Sequence, residues 1–389
     1  MAEQLGFALI TPYALMKSRT GGIIGRLMVR TGCELVGTRM IAPSAELAQS
    51  YADLLRRHGD TQVTGIDEGE LLSKYVEETF TPDPDTGKRR RVMLLIFQGE
   101  DAIEKVNRAI GCFSQHMKSA ESVRDTYGDL ILDASGKVTF IEPAAISSPS
   151  AEKTAEALRL WVDGSENDGG ILENVAGVDE EGSERTLVML KPDNFRVPSA
   201  RPGTIIDIFS GSGLRILAAK VDRMSIAEAL EFYGPVRPVL REKLKPRTGA
   251  ESRAAIEKEM GFALSDEVEK QLGELVGPHF GEQQFNELVQ FMTGVWLPEC
   301  PESEYENPGK ACILALVYSG PDAVKKIRNI LGPTDPSKAA PGSVRREFGQ
   351  DVMINAAHAS DSPENAQREM GIIKVNRDGL QKLLSQHGI

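Results

Sequence analysis

The chain has 389 residues and a formal net charge of −12, which is length enough for two or three domains and the wrong sign for coating nucleic acid or adhering to an anionic membrane. Hydrophobic residues make up 41% of it, so each domain can bury a core, yet no stretch reaches the ~18 apolar residues of a membrane span. Cys33, Cys112, Cys300 and Cys312 lack CxxC spacing and suggest neither a zinc site nor a disulfide framework, and MAEQLGFALITP has no basic-then-apolar leader, so a soluble protein of the cytoplasm is expected.

In chain order, Gly6 to Thr11 reads as a buried strand stopped by Pro12, and Gly21 to Val29 carries helical spacing of Ile23, Ile24, Leu27 and Met28. Cys33 to Ile41 reads as a second strand, and Ser44 caps a helix with Leu47, Tyr51, Leu54 and Leu55 on one face. Gly59 to Arg91 is polar and reads as an exposed loop or hairpin tip, with Arg89, Arg90 and Arg91 as a solvated patch. Val92 to Phe97 (VMLLIF) is the clearest strand of this half, and Asp101 to Gly111 is a helix ended by glycine. A hairpin from Leu130 to Ile141 and a helix from about Ala151 to Val162 follow. Asp163 to Gly182, rich in Gly, Asp, Glu and Asn, marks a linker or irregular crossover.

The first pattern then begins again. Thr186 to Leu190 precedes Lys191-Pro192 as the first strand precedes Thr11-Pro12, Leu214 to Met224 repeats the second strand, and AEALEFY repeats AELAQSY. Gly211-Ser212-Gly213 between them reads as a helix stop. ACILALVY repeats VMLLIF, PDAVKKIRNILG repeats EDAIEKVNRAIG, and Ser343-Val344-Arg345 repeats Ser122-Val123-Arg124. Order is kept while loops change length, as in an internal duplication with insertions. The largest insertion, Leu240 to Phe280, is charged and helix-prone and reads as an appended helical hairpin. Two split βαβ units of this kind predict an α+β protein with two ferredoxin-like domains in tandem, each a four-stranded antiparallel sheet with helices on one face. The expected division is 1–165 for the first domain, 166–183 for a linker and 184–389 for the second.

The stretch Asp351 to Glu369, DVMINAAHASDSPENAQRE, concentrates the chemistry. Val352, Met353 and Ile354 read as a short core strand. Ser362-Pro363-Glu364 is a helix start, with a hydroxyl cap, proline at the first helical position and an acid in the first turn. His358 is expected on the connection between them, where Glu369 can return from the helix to fix its tautomer. Taken alone, His358 reads more readily as a solvated or hydrogen-bonded loop histidine. His58, His116, His279 and His387 have no partners at metal or triad spacing and are assigned to the surface.

The second half resembles the nucleoside diphosphate kinase family over nearly its whole length, through ERTLVMLKPDNF, VKKIRNILGPTDP, APGSVRREFG and NAAHASDSPENAQRE. The resemblance implies a ping-pong exchange of the γ-phosphoryl group between ATP or other nucleoside triphosphates and a diphosphate. His358 matches the phosphorylated histidine and Glu369 the acid that orients it. Lys191, Arg328 and Arg345 match charged phosphate and sugar contacts, and Thr334 a hydroxyl donor to phosphate. Tyr233 matches a phenol beside the histidine, Phe285 the apolar platform under the base and Asn355 an amide that meets the ribose. Mg²⁺ would arrive with the nucleotide, with no metal site of protein groups. No nucleic-acid or membrane partner is implied. Assembly is, as an intrachain pseudo-dimer or a homo-oligomer.

The insertion between Tyr233 and Phe285, Ile354 in place of the family's common arginine, and the extra residues Val197 to Pro202 depart from the pattern. The first half resembles the family in outline only. Thr11 stands at the lysine, Asn107 at an arginine with Arg108 one residue off, Phe113 near the threonine and Ile146 at the histidine, while Tyr51 and Arg124 survive. It reads as a degenerate copy, a residual or regulatory nucleotide site being the alternative. The competing reading of the whole chain is a nucleotide-binding scaffold or regulatory pseudoenzyme with little turnover.

Overall fold

The computed structural model describes residues 3–57, 67–113, 120–178 and 181–389. The first half runs β1 (Glu3–Ile10), α1 (Pro12–Met16), α2 (Thr20–Thr31), β2 (Glu34–Ile41), α3 (Ala45–Arg57), α4 (Glu68–Thr79), β3 (Val92–Glu100), α5 (Ala102–Ile110) and α6 (Val123–Tyr127). It ends in a hairpin, β4 (Asp129–Leu132) and β5 (Val138–Glu142), then β6 (Ala145–Ile146) and α7 (Ala151–Asp168). The second half repeats this as β7 (Glu184–Leu190), α8 (Arg201–Ser210), β8 (Arg215–Asp222) and α9 (Ile226–Tyr233). There follow α10 (Val236–Lys243), α11 (Lys245–Met260), α12 (Asp266–Thr293), β9 (Ile313–Gly320), α13 (Ala323–Leu331), α14 (Val344–Phe348), β10 (Ala357–Ala359), α15 (Pro363–Ile372) and α16 (Leu380–Gln386).

Both halves build a four-stranded sheet with the same order, β2-β3-β1-β6 and β10-β7-β9-β8, the ferredoxin-like plan expected from the duplication. In the first, β1 pairs antiparallel with β3 and β6; in the second, β7 pairs antiparallel with β9 and β10. The likeness extends to single residues. Asp101 and Asp322 precede α5 and α13 with φ 55 and 54, and Ala144 and Ala356 both have positive φ, 60 and 70.

The expectation of helices on one face falls short for the first sheet, which is covered on both. Met93, Leu95 and Phe97 face a core shared with α2, α5, α8, α13 and the second sheet. Val92, Leu94 and Ile96 face α3, α4, α7 and α16. A strand buried on both faces reads as a continuous apolar run, which is why VMLLIF shows no alternation. The two halves meet through equivalent elements, α2 against α8 and β2 beside β8, as a two-fold relation requires. A Cβ on Gly203 of α8 would overlap the backbone of Gly21 and Gly25 in α2. Asp207 accepts the Gly22 amide across the same crossing at 3.0 Å.

Several sequence expectations are revised. The polar stretch 59–91 contains α4, capped by Asp67, whose side chain accepts from the Glu70 amide; its part 59–66 lies outside the described residues. The arginine triplet there is not a solvated patch. Arg91 is 6% exposed and donates to Ile216 O at 2.6 Å, while Arg89 pairs with Asp168 and Arg90 with Asp83. The helix α7 continues to Asp168, three residues into the linker expected at 166–183.

By its contacts the chain divides into two units, Met1–Asp222 with Leu314–Ile389, and Arg223–Ile313. The first holds both sheets. The second is helical and exceeds the expected insertion of 240–280 at either end. Within it α12 starts at a Ser265 cap and stops at Gly294 in the left-handed region, and Arg253 ties α11 to Asp266 and Glu269. Among the described residues no helix is long and apolar enough to cross a membrane.

Overpacking a close contact costs roughly 1–3 kcal/mol. Gly203→Val is therefore expected to lower the thermal midpoint by several degrees. Gly371→Ala, where an added Cβ meets nothing within 4 Å, is expected to hold or raise it. Differential scanning calorimetry of the two variants checks the difference.

Candidate functional site

His358 does not sit on a connection. The stretch Val352 to Ile354 forms bends instead of a strand, with Val352 61% exposed, because Asp351 Oδ1 accepts the amides of Met353 and Ile354 at 2.8 and 2.7 Å and curls the backbone. The strand begins three residues after Ile354, as β10, and His358 lies inside it opposite Met189 of β7. Between bend and strand, Ala356 has φ 70 and the Ala357 amide donates to Asn355 O at 2.8 Å. That is a γ-turn of the strained, positive-φ kind, costing about 1–3 kcal/mol. The Ala356 carbonyl accepts from the Lys191 amide at 2.9 Å and from Asn194 Nδ2 at 2.7 Å, which holds the turn against β7.

The imidazole is fixed from the other side by α15. The Ser362 hydroxyl caps that helix on the Asn365 amide, Pro363 occupies its first turn, and Glu369 faces inward from the end of its second, 5% exposed. Glu369 Oε2 lies 2.8 Å from His358 Nε2 and accepts the Ser360 hydroxyl at 2.6 Å. A carboxylate only accepts, so in a neutral imidazole Nε2 carries the proton and Nδ1 the lone pair. The expected pairing of His358 with Glu369 is present.

Three cations gather near this pair. Lys191 is 6% exposed, and its ammonium donates to Asn355 Oδ1 at 2.7 Å and Met353 O at 3.0 Å. Burial, then the Arg345 charge, push its pKa down to about 7, partly opposed by Asp193 and Asp351. Arg345 donates to Gly332 O and Ala357 O at 3.0 and 3.1 Å. Burial, then Arg328, lower it to about 10. Arg328 on α13 and Thr334 after it are exposed. Like charges held this close disfavour one another, and an anionic ligand would relieve the strain.

Asn355 differs from expectation. It is 1% exposed, and its amide donates to Thr334 O and Val352 O at 3.0 and 2.8 Å while its oxygen takes Lys191. Both amide hydrogens are engaged, so it braces the lysine and has none left for a ribose hydroxyl. Tyr233 and Phe285 belong to the helical unit. Tyr233, 6% exposed, packs on Phe232 with ring centroids 4.8 Å apart. Phe285 is fully buried, with the Arg237 guanidinium 5.2 Å from its ring centre, so the base platform expected there is not open. His279 is exposed; His387 is half-buried, its Nδ1 3.0 Å from Leu383 O; His58 and His116 lie outside the described residues. Sequence reasoning missed the γ-turn and the Asp193–Arg201 pair beside Lys191, 2.7 Å apart. A paired alanine two residues before each nucleophile position was the available signal for the turn.

The first half has the same frame without the chemistry. Ala144 makes the same turn, with the Ala145 amide donating to Pro143 O, and Ile146 pairs with Leu9 as His358 pairs with Met189. Ala157 stands at the position of Glu369. Thr11, at the position of Lys191, donates to Glu142 at 2.7 Å, and Tyr75 of α4 donates to the same carboxylate at 2.6 Å. Burial raises the Glu142 pKa.

A family model described as nucleoside diphosphate kinase matches residues 264–376, which include seven of the nine candidate residues but neither Lys191 nor Tyr233. The nucleoside diphosphate kinase of Campylobacter hominis is 32% identical over 195 residues, covering 50% of this chain and 98% of that protein. That of Bdellovibrio bacteriovorus is 33% identical over 189 residues, covering 49% and 91%. Among solved structures, the Aquifex aeolicus nucleoside diphosphate kinase is 32% identical and covers 49% of this chain and 94% of its own, with a TM-score of 0.31.

The depressed Lys191 pKa has a stability signature. Between about pH 7 and the ordinary lysine value of 10.5 the unfolded chain keeps a proton that the folded chain has lost, so folding is favoured progressively as pH rises through that window. The wild type is expected to gain thermal midpoint over Lys191→Met between pH 6 and pH 9. An equal gap at both pH values would show that the lysine keeps its proton throughout.

Proposed function

Because the chain belongs to the nucleoside diphosphate kinase family, we propose that it moves the γ-phosphoryl group of a nucleoside triphosphate to a nucleoside diphosphate by a ping-pong mechanism on His358. The observation that supports this best is the imidazole tied by Nε2 to a buried glutamate, with a cluster of like-charged cations nearby. Phosphoryl transfer needs little covalent machinery beyond the nucleophile, but it needs fixed positive charge around oxygens over which charge spreads.

In this reading the Nδ1 lone pair attacks the γ-phosphorus and the bond to the β–γ bridging oxygen breaks, its electron pair leaving on the nucleoside diphosphate. Glu369, itself held by Ser360, steadies the proton on Nε2 and the positive charge the ring acquires. The second half-reaction reverses these bond changes with another diphosphate. Lys191, Arg328 and Arg345 hold phosphate oxygens and Thr334 adds a hydroxyl donor. A bound phosphate restores the proton that burial loosens on Lys191. Tyr233 is assigned as the phenol beside the histidine and Phe285 as the base platform, the latter requiring Arg237 to move aside. Among the described residues no cluster of three or more His, Cys, Asp or Glu could hold a metal. In this reading Mg²⁺ arrives with the substrate, carried on the nucleotide phosphates.

Residues 184–389 form the catalytic copy in this proposal, 1–165 a degenerate one and 166–183 their linker. The packing of α2 on α8 supports an intrachain pseudo-dimer, to which homo-oligomerisation can add. A cytoplasmic setting suits such an exchange. The covered Phe285 and the engaged Asn355 amide favour a second reading, a nucleotide-binding scaffold that turns over slowly.

Incubation with γ-labelled ATP distinguishes the two. The wild type is expected to take acid-labile, base-stable label that GDP or CDP discharges as new triphosphate, and His358→Ala none. A well-folded wild type that takes no label returns the chain to the scaffold reading. Glu369→Gln should lower the labelling rate by about 10²-fold, the scale on which a positioned proton acts. In the His358→Ala background, Ile146→His is expected to remain unlabelled, because Ala157 and Asn107 supply neither the orienting acid nor the cation; label there would show that the first half lacks only its nucleophile.

A further inference from the structure

The first half holds a cavity of about 360 Å³ at the place equivalent to the surroundings of His358. Its lining includes Asn107, Arg124 and Ser148, which correspond to Arg328, Arg345 and Ser360 in the second half. Gly111 and Gly332 anchor the two arginines in the same way, each accepting from Nη1, at 2.8 and 3.0 Å. Loss of chemistry has therefore not been accompanied by collapse. Ile146 and Ala157, fully buried, remove the nucleophile and the acid, yet the space in front of them stays open.

The walls of that space are of two kinds. Arg108, Arg124 and Lys153 bring three positive charges against the single acid Glu68, whose carboxylate lies 3.7 Å from Arg124. The Arg124 side chain is only 9% exposed, its guanidinium lies 4.0 Å from the Phe113 ring centre, and its Nε has no hydrogen-bond partner. A largely buried guanidinium at the wall of an open cavity, with its one acidic neighbour no closer than 3.7 Å, keeps charge to offer an anion there. Opposite, Leu54 and Leu55 of α3 and Leu72 of α4 form an apolar wall. An excess of positive charge facing an apolar wall fits a ligand with an anionic end and a flat, apolar body.

We propose that this cavity is a second, non-catalytic nucleotide site, in which Arg108 and Arg124 take the phosphate and the leucine wall takes the base. The choice of a nucleotide, as against another organic anion, rests on the reading of the equivalent His358 site. With Ile146 in place of the nucleophile, the bound nucleotide exchanges by dissociation and no bond is made or broken.

Equilibrium dialysis of the full chain with labelled ADP and Mg²⁺ tests this. Two ADP per chain are expected at saturation. Ser147→Trp, which projects an indole from the rim into the cavity, is expected to leave one, with phosphohistidine formation at His358 unchanged. Arg108→Glu, at an exposed position, is expected to weaken the first-half site at least 10-fold without affecting that labelling. One ADP per chain in the wild type, unaltered by Ser147→Trp, overturns the proposal while leaving the His358 reading intact. No bound ADP and no label on His358 overturn both. Two ADP in the wild type and in both variants would put the second site elsewhere and overturn the assignment. Labelled inorganic phosphate that binds in an Arg108-dependent manner where ADP does not would make the cavity a free-phosphate site and overturn the nucleotide.

Discussion

The γ-turn at Ala356 is the constraint on which the candidate site depends. It breaks the pairing of β10 with β7 just before His358, so that the strand starts with the imidazole already directed toward α15. The strain of a non-glycine residue at φ 70 is offset by the carbonyl of the same residue, which accepts from the Lys191 amide and from Asn194. One backbone unit thereby positions the ends of two strands. The nucleophile candidate lies two residues beyond the turn, and the buried lysine follows directly from the strand that holds it.

The same turn at Ala144 shows that frame and chemistry are separable. The first half keeps the sheet order, the strained alanine, the arginine that bonds a glycine carbonyl and the serine-capped helix, but has Ile146, Ala157 and Thr11 where the second half has His358, Glu369 and Lys191. A buried Glu142, held by Thr11 and Tyr75, satisfies the polar groups that would otherwise be left where the lysine network stood. The first half contributes packing: it supplies part of a core shared with the second sheet, and α2 lies so close to α8 that glycines stand at the crossing.

Electrostatics divides the two sites as well. Lys191 and Arg345 are cations kept where water is scarce, each disfavoured by burial and by a like charge. Arg124 is disfavoured by burial in the same way but has Glu68 and the Phe113 ring beside it.

Local pattern was enough to determine the duplication, the α+β class, both central strands and the candidates His358, Glu369, Lys191, Arg328 and Arg345. The elements and the His358–Glu369 stretch follow from side-chain periodicity and capping chemistry, which are properties of short segments; Lys191, Arg328 and Arg345 came only through the resemblance of their motifs to the family. Tertiary structure alone decided that Val352 to Ile354 would bend and not pair, since Asp351 competes for the backbone amides. It decided that Arg91 would be buried against Ile216, that α4 would bring Tyr75 to Glu142, and that Asn355 would serve Lys191. Each of these joins residues far apart in the chain, except the first, where a local side-chain turn defeated an apolar run. The covering of Phe285 by Arg237 is of the same kind, because a ring's identity says that it can stack but only its neighbours decide whether a face is left open.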